Sequence, residues 1–196
     1  MKKIDRRVQK TNESLQLAFR KLAKTTSFRD ITVKALTETA HINRKTFYLH
    51  YDSIEDFSNT VVDEIADKLL EVMIEKPLHE TLSQSGYIID KVFDFFRNSR
   101  DFYTLMMTSD DYSFLSRKVG SKVSAGFSEA IYQEFDISKL DAYICSSFLI
   151  RNTMMMFRLY NGNQVELDET EFRDRLLRLN SSGLSSFMDL SRKTSK

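Results

Sequence analysis

A chain of 196 residues with 41% apolar and 29% charged side chains has enough apolar material for one or two small domains and too much for a disordered polymer. Five Gly and a single Pro, Pro77, are too few breakers for a many-turned β fold, which favours an all-α chain before any periodicity is counted. The net charge of +1 hides a split: residues 1–51 carry 12 Lys/Arg against 4 Asp/Glu, a net +8, whereas 17 Lys/Arg against 24 Asp/Glu give 52–196 a net −7. A polyanion is attracted by such a head and repelled by the body behind it. The first residues, M-K-K-I-D-R-R, have no apolar run behind them, which predicts a chain without a secretory leader. The longest uncharged apolar stretch, 142–150, is far too short to span a bilayer. The single Cys145 excludes an internal disulfide, fits a reducing cytoplasm and reads as a small core residue.

In chain order, Val8, Leu15, Ala18, Phe19, Leu22 and Ala23 follow helical spacing and predict an amphipathic helix over 6–24. Thr32 is a good N-cap for a short second helix, 33–40, with Val33, Leu36 and Ala40 on one face. His41-Ile42-Asn43 is a three-residue turn before a third short helix, 44–51. Asp52 and Ser53 offer caps, and Ser53 with Asp56 resembles a capping box for a long fourth helix ending near Pro77. Beyond it, apolar periodicity predicts helices around 88–96, 102–107 and 114–131. A further helix, 138–160, is capped by Ser138 and Asp141 and closed by Gly162 in a left-handed conformation. The last, 168–188, starts at an Asp168–Glu171 cap. About nine helices are expected.

A short helix, a three-residue turn and a second short helix make the plan of a helix-turn-helix, whose second helix enters the major groove N-terminus first. That helix needs apolar residues on its core side and donors on the other, and 43–51 supply both. Phe47 and Tyr51 can pack inward on Val33, Leu36 and Ile42, which leaves Asn43, Arg44, Lys45 and Thr46 at the groove end. Arg and Lys donate to guanine acceptors, Asn suits adenine, and Thr meets a thymine methyl. Tyr48 and His50 flank the packed side and can donate to phosphates. Thr32 and the amides at the start of the second helix, near Lys34, form an anion seat, and Arg6, Arg7 and Lys10 add backbone contacts.

With those residues in place, 6–57 resemble the N-terminal domain of the TetR-family transcriptional regulators. The likeness lies in A-F-R-K-L-A (18–23), F-R-D-I-T-V (28–33), the turn A-H-I-N (40–43) and T-F-Y-L-H-Y (46–51), in the family's order and spacing. Two positions depart from it. His41 stands where the family usually has Gly, which places a non-Gly residue at a left-handed turn position. Ile54 stands where the family usually has Lys, and losing a phosphate contact there predicts weaker binding with a flatter salt dependence. The resemblance implies an all-α chain: a helix-turn-helix DNA-binding domain over 1–57, a linking fourth helix over 53–76, and a helical dimerisation and ligand-binding domain over 58–196. It also implies a homodimer through the last two long helices, a palindromic double-stranded DNA operator, and repression rather than activation. The segment F-F-R-N-S-R-D-F-Y-T-L-M-M (95–107) resembles one C-terminal variant of the family without naming an inducer.

The 8 Met and 15 Phe suit either an ordinary core and dimer seam or an adaptable pocket for a small apolar or amphipathic effector. Candidate pocket residues are Phe93, Phe96, Phe102, Met106, Phe127, Phe148 and Met155. His41, His50 and His79 lie apart, without paired ligands at metal spacing, and no nucleotide-binding or nucleophile-elbow motif occurs, so no metal, cofactor or enzymatic activity is expected. A second reading stays open: a co-regulator or adaptor of the same fold that acts mainly through a protein partner.

Overall fold

A computed structural model of the chain describes residues 6–84, 86–97, 100–162 and 165–185. The described residues form ten α-helices: α1 (Arg6–Ala23), α2 (Val33–Ala40), α3 (Arg44–Tyr48), α4 (Ile54–Met73), α5 (Leu78–Ser83), α6 (Tyr87–Arg97), α7 (Arg100–Thr108), α8 (Ser113–Glu134), α9 (Lys139–Asn161) and α10 (Glu169–Ser185). A 3-10 turn, Phe28–Asp30, joins α1 to α2. None of the helices among the described residues is long and apolar enough to cross a membrane. The expected end of the last helix, 186–188, lies outside the described residues.

Half of the helix starts among the described residues follow from local capping chemistry. Thr32 Oγ1 accepts from the Ala35 amide at 3.1 Å, Asn43 Oδ1 from Lys45 at 2.8 Å, and Ser53 Oγ from Asp56 at 3.1 Å. Each satisfies a helix-terminal N–H that has no intrahelical acceptor. At α10 the box is reciprocal: the Glu171 amide donates to Asp168 Oδ1 at 2.8 Å and the Asp168 amide to Glu171 Oε2 at 3.4 Å. The helix absent from the sequence expectation is α5, and its cap is not local. Glu134, at the end of α8, accepts from the Leu78 and His79 amides at 2.7 Å each and pairs with the His79 ring.

Two ends differ from expectation. Gly162 closes α9 at φ −81°, not in the left-handed region, because the Gly162 amide simply continues to the Arg158 carbonyl at 2.9 Å. α3 stops at Tyr48, three residues short of the expected 51, with the chain turning so that the Tyr51 amide still reaches the Phe47 carbonyl at 3.0 Å.

The core runs without a break from the N-terminal helices into the body. Phe19 of α1 sits at its centre, edge-on to Phe57 of α4 (5.7 Å), Phe102 of α7 (6.1 Å), Phe28 (6.3 Å) and Tyr112 (6.4 Å). Such ring pairs stabilise beyond their buried area. Polar bonds tie the same seam: the Tyr112 hydroxyl donates to the Thr26 carbonyl at 2.6 Å, Lys24 meets Asp101 at 2.9 Å, and Gln16 Nε2 donates to Glu64 at 2.6 Å. In the body, α8 lies against α4, α5, α7 and α9. Small residues let α8 and α9 approach closely, with the buried Ser146 hydroxyl donating to the Ser124 carbonyl at 2.6 Å.

Candidate nucleic-acid interface

The three N-terminal helices bury one face and turn another outward. α3 is anchored by Phe47, wholly buried, and by Tyr51, whose ring lies 5.4 Å from Phe47 and 5.1 Å from Phe57. The Tyr51 hydroxyl donates to Asn12 Oδ1 of α1 at 3.0 Å, which fixes the angle between the third helix and the first. Burial, with the Glu64 and Asp56 carboxylates nearby, pushes the Tyr51 phenol above its ordinary pKa, so it remains a neutral donor. Sequence reasoning placed Tyr51 as an apolar anchor and missed this bond, because nothing local connects residue 51 to residue 12.

With that side packed, Asn43, Arg44, Lys45, Tyr48 and His50 are exposed together, and Thr46 is half-buried. Arg44 Nη2 donates to the Tyr48 hydroxyl at 3.1 Å and its guanidinium lies 5.5 Å from the centre of that ring. The stacking holds a long cation in one orientation, which lowers the entropy lost when it meets an anion or a base edge. Asn43 uses its carboxamide oxygen to cap α3, which orients the side chain and leaves its amide N–H groups as donors at the outer face. Leu49 is 79% exposed at the end of α3, one turn after Lys45. It was not among the expected contacts, yet an apolar side chain in that place can meet a thymine methyl.

Arg6, Arg7, Lys10, Thr32 and Lys34 are also exposed. The Thr32 hydroxyl caps α2, and Lys34 lies 3.9 Å from Glu38 one turn on. The turn between α2 and α3 requires φ 56°, ψ 41° at His41, the one non-Gly residue with positive φ among those described. The strain expected from its sequence is therefore present. Ile54, at the first turn of α4, packs partly against the core, so its place is filled by a packing group where a phosphate-binding cation would reach outward.

The body contains a cavity of about 160 Å3 between α4, α5, α6, α7, α8, α9 and α10, walled mainly by aliphatic, Met and aromatic side chains. Of the expected pocket residues, Phe96, Met106 and Phe127 line it. The other four do not. Phe93 packs instead on Phe157 and Phe172 at 4.9 and 5.6 Å, and Phe102 turns to Phe19 of α1. Phe148 and Met155 are 46% and 51% exposed, because α9 buries Ala142, Cys145, Leu149 and Ile150 and turns these two the other way. α9 is apolar on both of these faces, so neither its spacing nor its richness in Met and Phe says which one turns inward.

No protein-family model matches the chain. A curated protein of Bacillus subtilis (strain 168), the uncharacterized HTH-type transcriptional regulator YxbF, is 37% identical over 71 residues, 36% of this chain. The chain matches only 19% of that relative's length. Among solved structures, the chain is similar to NalD, the secondary repressor of the MexAB-OprM multidrug efflux pump in Pseudomonas aeruginosa, with a TM-score of 0.61 and 14% identity, covering 92% of this chain and 98% of that one. The TetR-family repressor AlkX from a Dietzia strain, implicated in biodegradation of n-alkanes, superposes with a TM-score of 0.59 at 15% identity over 90% and 98% of the two chains. The dihydroxyacetone kinase operon activator DhaS gives 0.54 at 13% identity over 91% and 98%. Identities this low speak for architecture alone. By that measure, this all-helical chain has the TetR-like fold.

Proposed function

We propose that the chain is a sequence-specific DNA-binding transcriptional regulator, acting in the cytoplasm as a homodimeric repressor that a small apolar ligand releases from its operator. The observation that carries this reading is the outward face of α3, where Arg44 stacked on Tyr48 stands beside Lys45, His50 and the Asn43 amide. Arg44 and Lys45 serve as base readers; Arg6, Arg7, Lys10, Lys34 and the capped start of α2 hold phosphates. The first 57 residues are the reading domain, α4 links it to the remainder, and 58–196 pair and bind ligand. The similarity to the repressors NalD and AlkX, to the activator DhaS and to an HTH-type regulator favours a regulator, and repression over activation rests on the sequence resemblance alone.

Pairing is assigned to α9 and α10. Leu140, Ile144, Phe148 and Met155 form an exposed apolar stripe at helical spacing on α9, beside exposed Tyr143, and Leu179 of α10 is exposed as well. A second copy covering that stripe removes it from water and sets two α3 helices one turn of DNA apart. Ligand response is assigned to α7, which has Tyr103, Met106 and Met107 in the cavity wall while Phe102 holds Phe19 of α1 and Asp101 holds Lys24 just beyond it.

The test is a mobility-shift titration of the purified chain against the DNA flanking its own gene. Salt-sensitive, sequence-selective binding is expected. Arg44→Ala and Tyr48→Ala should each weaken it by about 10- to 100-fold, the loss of roughly 1–3 kcal/mol of contact, without loss of helical signal. Parent-like binding by both variants removes α3 as the reader. Binding that needs a second protein favours the adaptor reading instead.

A further inference from the structure

The cavity wall carries a chemical bias that goes beyond a general affinity for apolar molecules. Its volume of about 160 Å3 is close to the roughly 150 Å3 of an engineered apolar cavity that takes one benzene. Among the described residues that line it, there is no Asp, Glu, Lys, Arg or His. A carboxylate or an ammonium entering it would leave water without a counter-charge, and that cost exceeds what the largely apolar wall returns. Seven side chains of the wall are polar: Gln84 is exposed to solvent, the Tyr103 hydroxyl bonds with Arg20, and three are engaged with their own helices. Thr81 donates to the Pro77 and Leu78 carbonyls, Ser116 to Ser113, and Ser181 to Leu177.

Two groups on the α9–α10 side differ. Asn180, 7% exposed, donates through Nδ2 to Thr153 Oγ1 at 3.2 Å and accepts at Oδ1 from Asn152 Nδ2 at 2.6 Å. This leaves the second amide hydrogen of Asn180 and the hydroxyl proton of Thr153 without an acceptor among the described residues, both on side chains that line the cavity. A largely apolar wall whose buried polar groups are engaged except for two adjacent spare donors matches a ligand with one acceptor atom.

We infer that the cavity takes a neutral, ring-sized molecule with a single oxygen acceptor, a ketone, aldehyde, alcohol or phenol, seated with that oxygen on the Thr153–Asn180 pair. The inference deepens the ligand-responsive reading above and rests on it for its regulatory meaning, though not for its binding chemistry. The full chain is titrated by calorimetry with cyclohexanone, phenol, cyclohexane, benzoate and benzylammonium. The two neutral oxygen-bearing rings bind and raise the melting temperature, and the two ions bind at least about 100-fold more weakly. Cyclohexanone is preferred over cyclohexane by about tenfold, the worth of one hydrogen bond. Asn180→Leu and Thr153→Val each shrink that preference while cyclohexane still binds, which also reports an intact cavity.

The inference is overturned if neither neutral ring binds, if either ion binds as tightly as cyclohexanone, or if both variants keep the parent's preference. The same titrations repeated with the operator present separate the two levels of the reading. Cyclohexanone bound with no change in DNA affinity keeps the ligand class and removes ligand control. Intact DNA binding with no neutral ring bound removes the ligand class and leaves the DNA reader standing.

Discussion

Replacing Tyr112 by Phe removes one oxygen from the seam between the N-terminal helices and the body and almost nothing else. The side chain is 2% exposed, and its ring keeps its edge contacts with Phe28 and Phe19 at 6.0 and 6.4 Å. What disappears is the 2.6 Å bond to the Thr26 carbonyl, which is left part-buried without that donor. A lost bond of this kind, with a desolvated acceptor behind it, costs about 2 kcal/mol. For a chain of this size that lowers the melting temperature by roughly 4–8 °C. Urea and thermal unfolding followed by circular dichroism, at one fixed protomer concentration, measure it. Amide exchange should also quicken in 24–30, the stretch that the bond pins to the body. The parent should show the same bond through pH. Burial, then the Asp111 carboxylate, pushes the phenol up to about 12. Its proton is held more tightly when folded, so this contribution is complete below the unfolded pKa near 10 and fades as pH rises towards 12, a loss that Tyr112→Phe should not share. A Phe variant within about 0.3 kcal/mol of the parent, beneath the usual effect of a buried bond, would mean that the hydroxyl ties nothing together.

His41→Gly should stabilise the chain by about 0.5–1 kcal/mol, since a left-handed non-Gly residue costs roughly 1–2 and the added freedom of Gly returns part of it; urea midpoints decide the sign. Glu134→Gln should destabilise by about 1–2 kcal/mol, because α5 loses a charged cap. Burial raises the Glu134 pKa, but bonds from the His79 and Leu78 amides outweigh it and leave the carboxyl below its usual 4.5. The parent's advantage over Gln is thus full above pH 4.5 and vanishes as pH falls through the lowered value, which unfolding curves from pH 3 to 7 resolve. Phe148→Glu should convert dimer to monomer in sedimentation at micromolar concentration with no loss of helical signal, and a variant that stays dimeric moves the pairing surface elsewhere.

Helices that announce themselves locally were readable from sequence. Thr32, Ser53, Ser138 and Asp168 each cap within three residues, and α2, α4, α9 and α10 begin where those residues say. α5 was not readable, for a physical reason: its first amides are satisfied by Glu134, more than fifty residues away, and no window along the chain contains both partners. The outward face of α3 followed from the inward need of Phe47 and Tyr51. The Asn12–Tyr51 bond and the use of the Asn43 oxygen as a cap depend on where α1 crosses α3 and on a side-chain rotamer, neither of which spacing encodes. The pocket was the least legible part. Phe and Met supply apolar surface wherever they stand, and only the rotation of α9 and α7 decides that Phe148 faces outward and Phe102 faces Phe19.

α7 is nine residues long, and the residue that grips α1 is next in sequence to one that walls the cavity: Phe102 on one side, Tyr103 on the other. A helix of two and a half turns has no hinge within it, so a few degrees of roll at one face appear undiminished at the other. Sensitivity to cavity contents and alignment of the N-terminal helices are then a single inherited trait, because a substitution that retunes one retunes both. If the chain is the ligand-responsive DNA reader proposed above, variants selected only for a new ligand should arrive with an altered grip on DNA, and the repair for that grip would lie at Phe19 and Arg20 of α1 and at Lys24 just beyond it.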